Sequence, residues 1–304
     1  MKNKSMVTPP YLRYGDKVGI VATARKISKK ELEEGITLLK NWGLVPVLGN
    51  TIGLEDNQYA GTDFERAQDF QQMMDNTEIK AIWCARGGYG TVRIVDDLDF
   101  YKFVKYPKWV VGYSDVTVLH SHIHKIGFKT IHATMPVSLE DNTAFAKASL
   151  KQSLFGEQPN FSYNTTNKLN RLGTTKGTLV GGNLSILYSL CGSSSDLDTA
   201  GKILFIEDLD EYLYHIDRMV VNLKRNGMLD HCAGMVVGGM TKMHDNRIPF
   251  GKTAQEIVLD AVKECDFPVA FDFPAGHVDN NNALKLGSEI ELVVTQNDTK
   301  ITYL

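Results

Sequence analysis

Residues 108–120 read KWVVGYSDVTVLH. The apolar run 109–111 stops at Gly112, and from Asp115 onward Val116, Leu119, Ile123 and Ile126 recur at helical spacing, so a buried strand hands over to a helix at Ser114. The same handover repeats upstream. Apolar runs at 18–22, 45–48 and 81–84 alternate with helix-like segments at 29–42 and 63–74, the βαβ rhythm of a mostly parallel sheet. Downstream, 158–175 (QPNFSYNTTNKLNRLGTT) is rich in Asn and Thr and lacks apolar periodicity, which reads as a connection or edge excursion. Strands resume at 177–180, 203–206, 235–237, 290–294 and 301–303, with helices at 184–190, 213–223 and 253–264. The expected organisation is α/β: a first domain over 1–157, a linker over 158–175 and a mixed, strand-rich domain over 176–304.

Composition narrows the function classes. The 304 residues carry 33 Lys+Arg against 36 Asp+Glu, a formal charge of −3, so nothing electrostatic favours a polyanion and no nucleic acid is expected. A hydrophobic share of 43% and a charged share of 23% fit an ordinary folded chain. Residues 1–17 hold no apolar run of the ~7–15 residues a signal peptide needs, and no stretch approaches the ~20 of a membrane span. No membrane association is expected. Cys84, Cys191, Cys232 and Cys265 are too far apart for a disulfide framework or a CxxC metal site, which points to reduced thiols in a cytoplasm.

Four stretches could carry chemistry. Ser114 sits where ligands collect in parallel sheets, outside the carboxyl end of a strand, and at a helix N-terminus whose free N–H groups can stabilise an oxyanion. Taken alone the segment fits a helix cap better, and Val116 replaces the second glycine of G-x-S-x-G. IWCARGGYG (82–90) places Gly87, Gly88 and Gly90 after a strand, either aiming N–H groups into a cleft or forming a tight turn. GKILFIEDLDEYLYHIDRM (201–219) delivers Glu207 and Asp208 to a strand end, where a carboxylate can orient a histidine or complement a helix dipole. FDFPAGHVDNNNALKLG (271–287) puts His277 in a loop, and a histidine there can deprotonate a serine near neutral pH. His120 and His124 share a helix face, but Ser121 replaces the glutamate of H-E-x-x-H, so no metal is expected.

RGGYG (86–90), GYSD (112–115), GGN (181–183), GKILFIED (201–208), HIDRM (215–219) and AGH (275–277), in this order and spacing, resemble the murein-tetrapeptide L,D-carboxypeptidase family over nearly the whole chain. The resemblance implies a serine peptidase with Ser114 as nucleophile, His277 as base, Glu207 as the acid orienting it, and an oxyanion hole from the N–H groups of Gly88 and Asp115. It implies a Rossmann-like N-terminal domain carrying the serine, a strand-rich C-terminal domain carrying acid and base, and a site in the cleft between them. No cofactor is expected. The implied activity removes D-Ala from muropeptide tetrapeptides in cell-wall recycling. A related branch, the microcin-immunity peptidases, shares the triad and cleaves peptidyl or aminoacyl–nucleotide conjugates; a non-catalytic small-anion binding module is the alternative of another class. A substrate carboxylate needs a cation, for which Arg86 and Arg218 are candidates. A homodimer is expected. Two stretches depart from the family's habit: Lys285 stands where proline is usual, and the turn after the first strand reads ATARKIS (22–28). Both are expected near the substrate cleft.

Overall fold

In the computed structural model, which describes residues 5–165 and 167–304, the strands gather into two sheets. The first half supplies β1 (Lys17–Val21), β2 (Val45–Leu48), β3 (Ile79–Cys84), β4 (Trp109–Gly112) and β5 (Thr130–His132), interleaved with α1 (Glu33–Asn41), α2 (Asp63–Asp75), α3 (Tyr101–Lys105), α4 (Thr117–Lys125) and α5 (Ala144–Phe155). The apolar runs are continuous because both faces of the sheet are covered. Ile20, Trp83 and Val111 enter one core while Val21, Ile82 and Val110, their immediate neighbours, enter the other. All pairings among β1–β5 are parallel, in the order 2-1-3-4-5. The order reverses between β1 and β3, and the loops leaving the carboxyl ends of those strands therefore diverge around a crevice.

The second half supplies β6 (Phe161–Asn164), β7 (Gly173–Asn183), β8 (Ile203–Leu209), β9 (Gly234–Thr241), β10 (Val269–Ala270), β11 (Leu284–Leu286), β12 (Glu289–Val294) and β13 (Asp298–Tyr303), with α6 (Leu184–Leu190), α7 (Leu213–Arg225) and α8 (Ala254–Ala261). β7 to β10 run parallel, and β12, β13 and β6 extend that sheet antiparallel, so this half is mixed and strand-rich, as expected. The polar stretch 158–175 holds β6, at the sheet's outer edge, and the start of β7. β11 does not join this sheet: Leu284–Leu286 pairs antiparallel with β5 of the first. The chain thus returns to the first sheet just after His277, tying that loop to both layers. Among the described residues no helix is long and apolar enough to cross a membrane.

Candidate active site

The first element of the site is a turn. β4 is buried along its length, Tyr113 is extended (φ −148°), and Ser114 swings to φ +62° before a single 3-10 turn, Ser114–Val116, leads into α4. Holding a residue with a Cβ in this left-handed region costs about 1–2 kcal/mol. A capping serine has extended backbone and accepts an N–H bond from two or three residues ahead. Ser114 has the wrong backbone for that and makes no cap bond; among the described residues its half-buried hydroxyl has no partner. Buried groups hold the turn in place. His120 Nε2 lies 2.9 Å from Gly112 O, and burial keeps that ring neutral by pulling its pKa well below the usual value.

The glycine loop is fastened to the same turn. A Cβ on Gly87 would stand 3.0 Å from Ser114 Cβ, so the loop passes directly over the serine. Asp115 is buried, and its Oδ2 accepts from Thr91 N–H at 2.8 Å, at the far end of the loop. Burial pushes the Asp115 carboxyl up, opposed by the Thr91 bonds and the Arg66 charge. Arg66, also buried, donates from Nη1 to Thr23 O at 2.8 Å and Gly90 O at 3.0 Å, stapling the end of β1 to the loop after β3. Sequence reasoning missed Arg66, since an arginine in a helix's first turn ordinarily faces water. The backbone N–H of Asp115 lies in the first helical turn, where no intrahelical carbonyl is available to it.

The second half of the site is a side-chain pair. Glu207, near the end of β8, is fully buried, and its Oε2 accepts from His277 Nδ1 at 2.7 Å and from His277 N–H at 3.2 Å. Burial disfavours charge on both groups. Their mutual attraction prevails, holding the His277 pKa above the usual 6.5 and the Glu207 pKa below 4.5. Because Nδ1 donates to the carboxylate, the neutral ring presents its lone pair at Nε2.

This pairing depends on a bulge. Ile206 faces Val237 on β9 but Asp208 faces Met240, so Gly238 and Gly239 together oppose Glu207. The extra residue re-aims the ladder, and Gly239 N–H donates to Ala275 O at 3.0 Å, docking the loop that leads to His277. Gly276, at φ +97°, completes the approach, since a Cβ there would fall 2.5 Å from Glu207 Oε2. Asn183 joins the two halves. Its N–H donates to Thr117 Oγ1 at 3.0 Å on the serine's helix, and its Nδ2 donates to Asp208 Oδ1 at 3.0 Å and Glu207 Oε1 at 3.3 Å. The Tyr113 ring, beside Ser114, packs 4.8 Å from the His277 ring.

Other candidates sit elsewhere. Asp208 Oδ2 accepts from Ser185 N–H at 2.9 Å, and burial together with the Glu207 charge raises its pKa to about 7. Asp210 is exposed and pairs with His244 Nε2 at 2.5 Å. Arg86 pairs with Glu31 at 3.4 Å and reaches Lys26 O, while Arg218 is exposed and stacks on Tyr214. His124 bonds Thr130 Oγ1 at 3.0 Å, and burial lowers its pKa to about 3. Among the described residues no three His, Cys, Asp or Glu side chains converge as metal ligands. Lys285, expected near the cleft, is instead buried on β11, over the Tyr303 ring and donating to Glu157 O. The β11–β5 pairing turns it away from the histidine eight residues earlier.

Residues 18–133 match the LD-carboxypeptidase N-terminal domain of peptidase family S66, and 176–292 match its C-terminal domain. The chain belongs to this family. It is 37% identical over 290 residues to a probable murein peptide carboxypeptidase of Bacillus subtilis, covering 92% of this chain and 90% of that one. The microcin C7 self-immunity protein of Escherichia coli is 26% identical, covering 96% and 94%. The crystal structure of muramoyltetrapeptide carboxypeptidase from Oxalobacter formigenes superimposes with a TM-score of 0.84 at 26% identity, covering 94% of this chain and 98% of that one. The two-domain α/β architecture of this S66 peptidase is therefore shared along almost its full length.

Proposed function

We propose that this S66 peptidase is a serine L,D-carboxypeptidase that releases the terminal D-Ala of muropeptide tetrapeptides, with Ser114, His277 and Glu207 as its triad. The observation that carries the reading is Ser114 itself: a strained residue at a strand end that caps nothing and faces the glycine loop. Strain of this kind persists only where surrounding structure imposes it, and it gathers at reactive turns. In the proposed reaction His277 Nε2 takes the serine proton as Oγ attacks the scissile carbonyl, and the N–H groups of Gly88 and Asp115 receive the developing oxyanion. Glu207 fixes the ring's tautomer and stabilises the imidazolium, which then protonates the departing amine. Water repeats the cycle on the acyl-enzyme. No metal is required. The carboxypeptidase reading is supported by the probable murein peptide carboxypeptidase, which shares 37% identity against 26% for the microcin C7 self-immunity protein.

A fluorophosphonate should add one adduct mass at Ser114. The enzyme should then release free D-Ala from the tetrapeptide with a higher kcat/KM than it cleaves an aminoacyl sulfamoyl adenylate, a ratio that reports differential transition-state binding. The opposite ratio would place the enzyme on the immunity branch. The reading also makes the enzyme a cytoplasmic homodimer, which sedimentation and cell fractionation check.

A further inference from the structure

The turn ATARKIS, at 22–28, leaves the carboxyl end of β1 and forms one wall of the crevice between β1 and β3. Its backbone is fixed on two sides: Arg25 N–H reaches Gly87 O at 3.4 Å, and Lys26 N–H donates to Gln58 O at 3.0 Å. The Arg25 stem lies across the glycine loop. A Cβ on Gly88, whose φ is +114°, would fall 2.3 Å from Arg25 Cδ and 2.5 Å from its Cγ, so an arginine stem fits there only because residue 88 is glycine. Arg25 is exposed, and among the described residues its guanidinium has neither a hydrogen-bond acceptor nor a carboxylate partner. The other arginines near the loop are engaged: Arg86 by Glu31, Arg93 by Asp63, and Arg66 by the carbonyls it staples.

Substrate geometry puts this unengaged cation to use. If the scissile carbonyl oxygen rests on Gly88 N–H, the carboxylate carbon of the residue being released lies three covalent bonds from the carbonyl carbon, a span under about 4 Å. A guanidinium rooted beside Gly88 is therefore next to that carboxylate, and its planar fork suits two parallel bonds to the two oxygens. We propose that Arg25 clamps the free terminal carboxylate of the released residue, making the site read a C-terminal carboxylate beside the oxyanion hole. This rests on the carboxypeptidase reading above. It replaces Arg86, which pairs with Glu31, and Arg218, which stacks on Tyr214 of α7 and has no contact with the glycine loop among the described residues.

The test compares the muropeptide tetrapeptide with its C-terminal carboxamide, scoring free D-Ala or D-alaninamide by mass spectrometry for wild type, Arg25→Gln, Arg25→Lys and Lys242→Gln. Lys242 is an exposed cation on the histidine's side, and its charge acts on His277. Wild type should favour the acid by about 10–100-fold in kcat/KM, the usual worth of a charge-assisted pair. Arg25→Gln should bring that ratio towards one, chiefly through KM for the acid, and Arg25→Lys should restore part of it. Thermal unfolding of each variant separates misfolding from lost recognition. Retention of the acid preference in a folded Arg25→Gln protein overturns the clamp alone, and its loss in Lys242→Gln instead moves the clamp to the opposite wall. Wild-type inactivity on both peptides, with an intact fluorophosphonate adduct, overturns the carboxypeptidase reading and the clamp with it.

Discussion

Ser114 and Glu207 both stand near the carboxyl ends of buried parallel strands, yet the two strands deliver their residues by different means. β4 does so with backbone: one residue is forced left-handed, and Asp115, Arg66 and His120 hold the surrounding loop through main-chain hydrogen bonds. β8 does so with charge: a bulge and Gly276 bring a histidine onto a carboxylate that has no contact with water. A nucleophile must be presented at one angle, which backbone fixes well. A base must keep one tautomer and a suitable pKa, which a buried partner fixes well.

The largest effect expected is at the backbone side. Ser114→Ala should abolish turnover and leave unfolding free energy within about 0.5 kcal/mol of wild type, because no cap bond is lost. Ser114→Gly should be equally inactive yet more stable than the alanine variant by about 1 kcal/mol, since glycine relieves the left-handed strain. Denaturation of the two variants side by side checks this. A glycine variant no more stable than the alanine one would remove strain from the comparison.

The next effect belongs to the charge side. Glu207→Gln should lower kcat by about 10⁴-fold, because the amide can favour the wrong imidazole tautomer. The base must be neutral to act, so a His277 pKa raised above 6.5 puts the acid limb of wild-type kcat/KM above that pH. Loss of the Glu207 charge should move the imidazole titration, followed by NMR, to lower pH. Sign also fixes a stability window. The raised histidine contributes stability below its unfolded value of 6.5, the lowered glutamate contributes above 4.5, and the pair therefore favours the fold most between those limits.

How much of this was legible in the sequence differs between the two sides for the same reason. The strand-to-helix handover at Ser114 follows from apolar spacing, and so do most strands of both sheets. The φ of Ser114 does not, because the loop fastened to this turn, through Thr91 N–H on Asp115, lies 24 residues upstream and no local pattern encodes that contact. Glu207 and His277 are 70 residues apart, and only the order of motifs shared with the family suggested that they meet. β5 and β11 are three residues each, too short to show a period, and α5 (AFAKASLKQSLF) dilutes its apolar face with small residues. β11 then carried Lys285 away from the cleft.

A smaller effect tests whether Glu207 alone is the acid. Asp208 touches Asn183 and the start of α6, not the histidine, so Asp208→Asn should cost kcat about tenfold or less. Its pKa of about 7 places its titration near the acid limb, and the asparagine variant should show a shallower limb than wild type. A pH profile of kcat/KM for each protein decides. If Asp208→Asn proves the more damaging substitution, the acid assignment moves one residue along the strand.

The smallest effect on activity is expected at Lys285, which lies outside both halves of the site. Its ammonium is buried among Tyr11, Tyr303 and Glu157 O, and burial, with a lesser push from Lys129, lowers its pKa from 10.5 to about 8. The folded protein therefore releases this proton more readily than the unfolded chain. Stability from this group is full above 10.5 and is lost as pH falls through 8, so at pH 7 the charged ammonium carries an unrelieved desolvation cost. Lys285→Met keeps the volume, removes the charge and forfeits one hydrogen bond and the contact with the Tyr303 ring. It should be neutral to about 1 kcal/mol more stable than wild type at pH 7, with the difference shifting in favour of wild type by pH 10, and kcat/KM should stay within about twofold. Urea unfolding at both pH values, with turnover on the tetrapeptide, measures each part. A tenfold rise in KM would return Lys285 to the substrate cleft and show that β11 can bring its side chain to the histidine's side of the sheet.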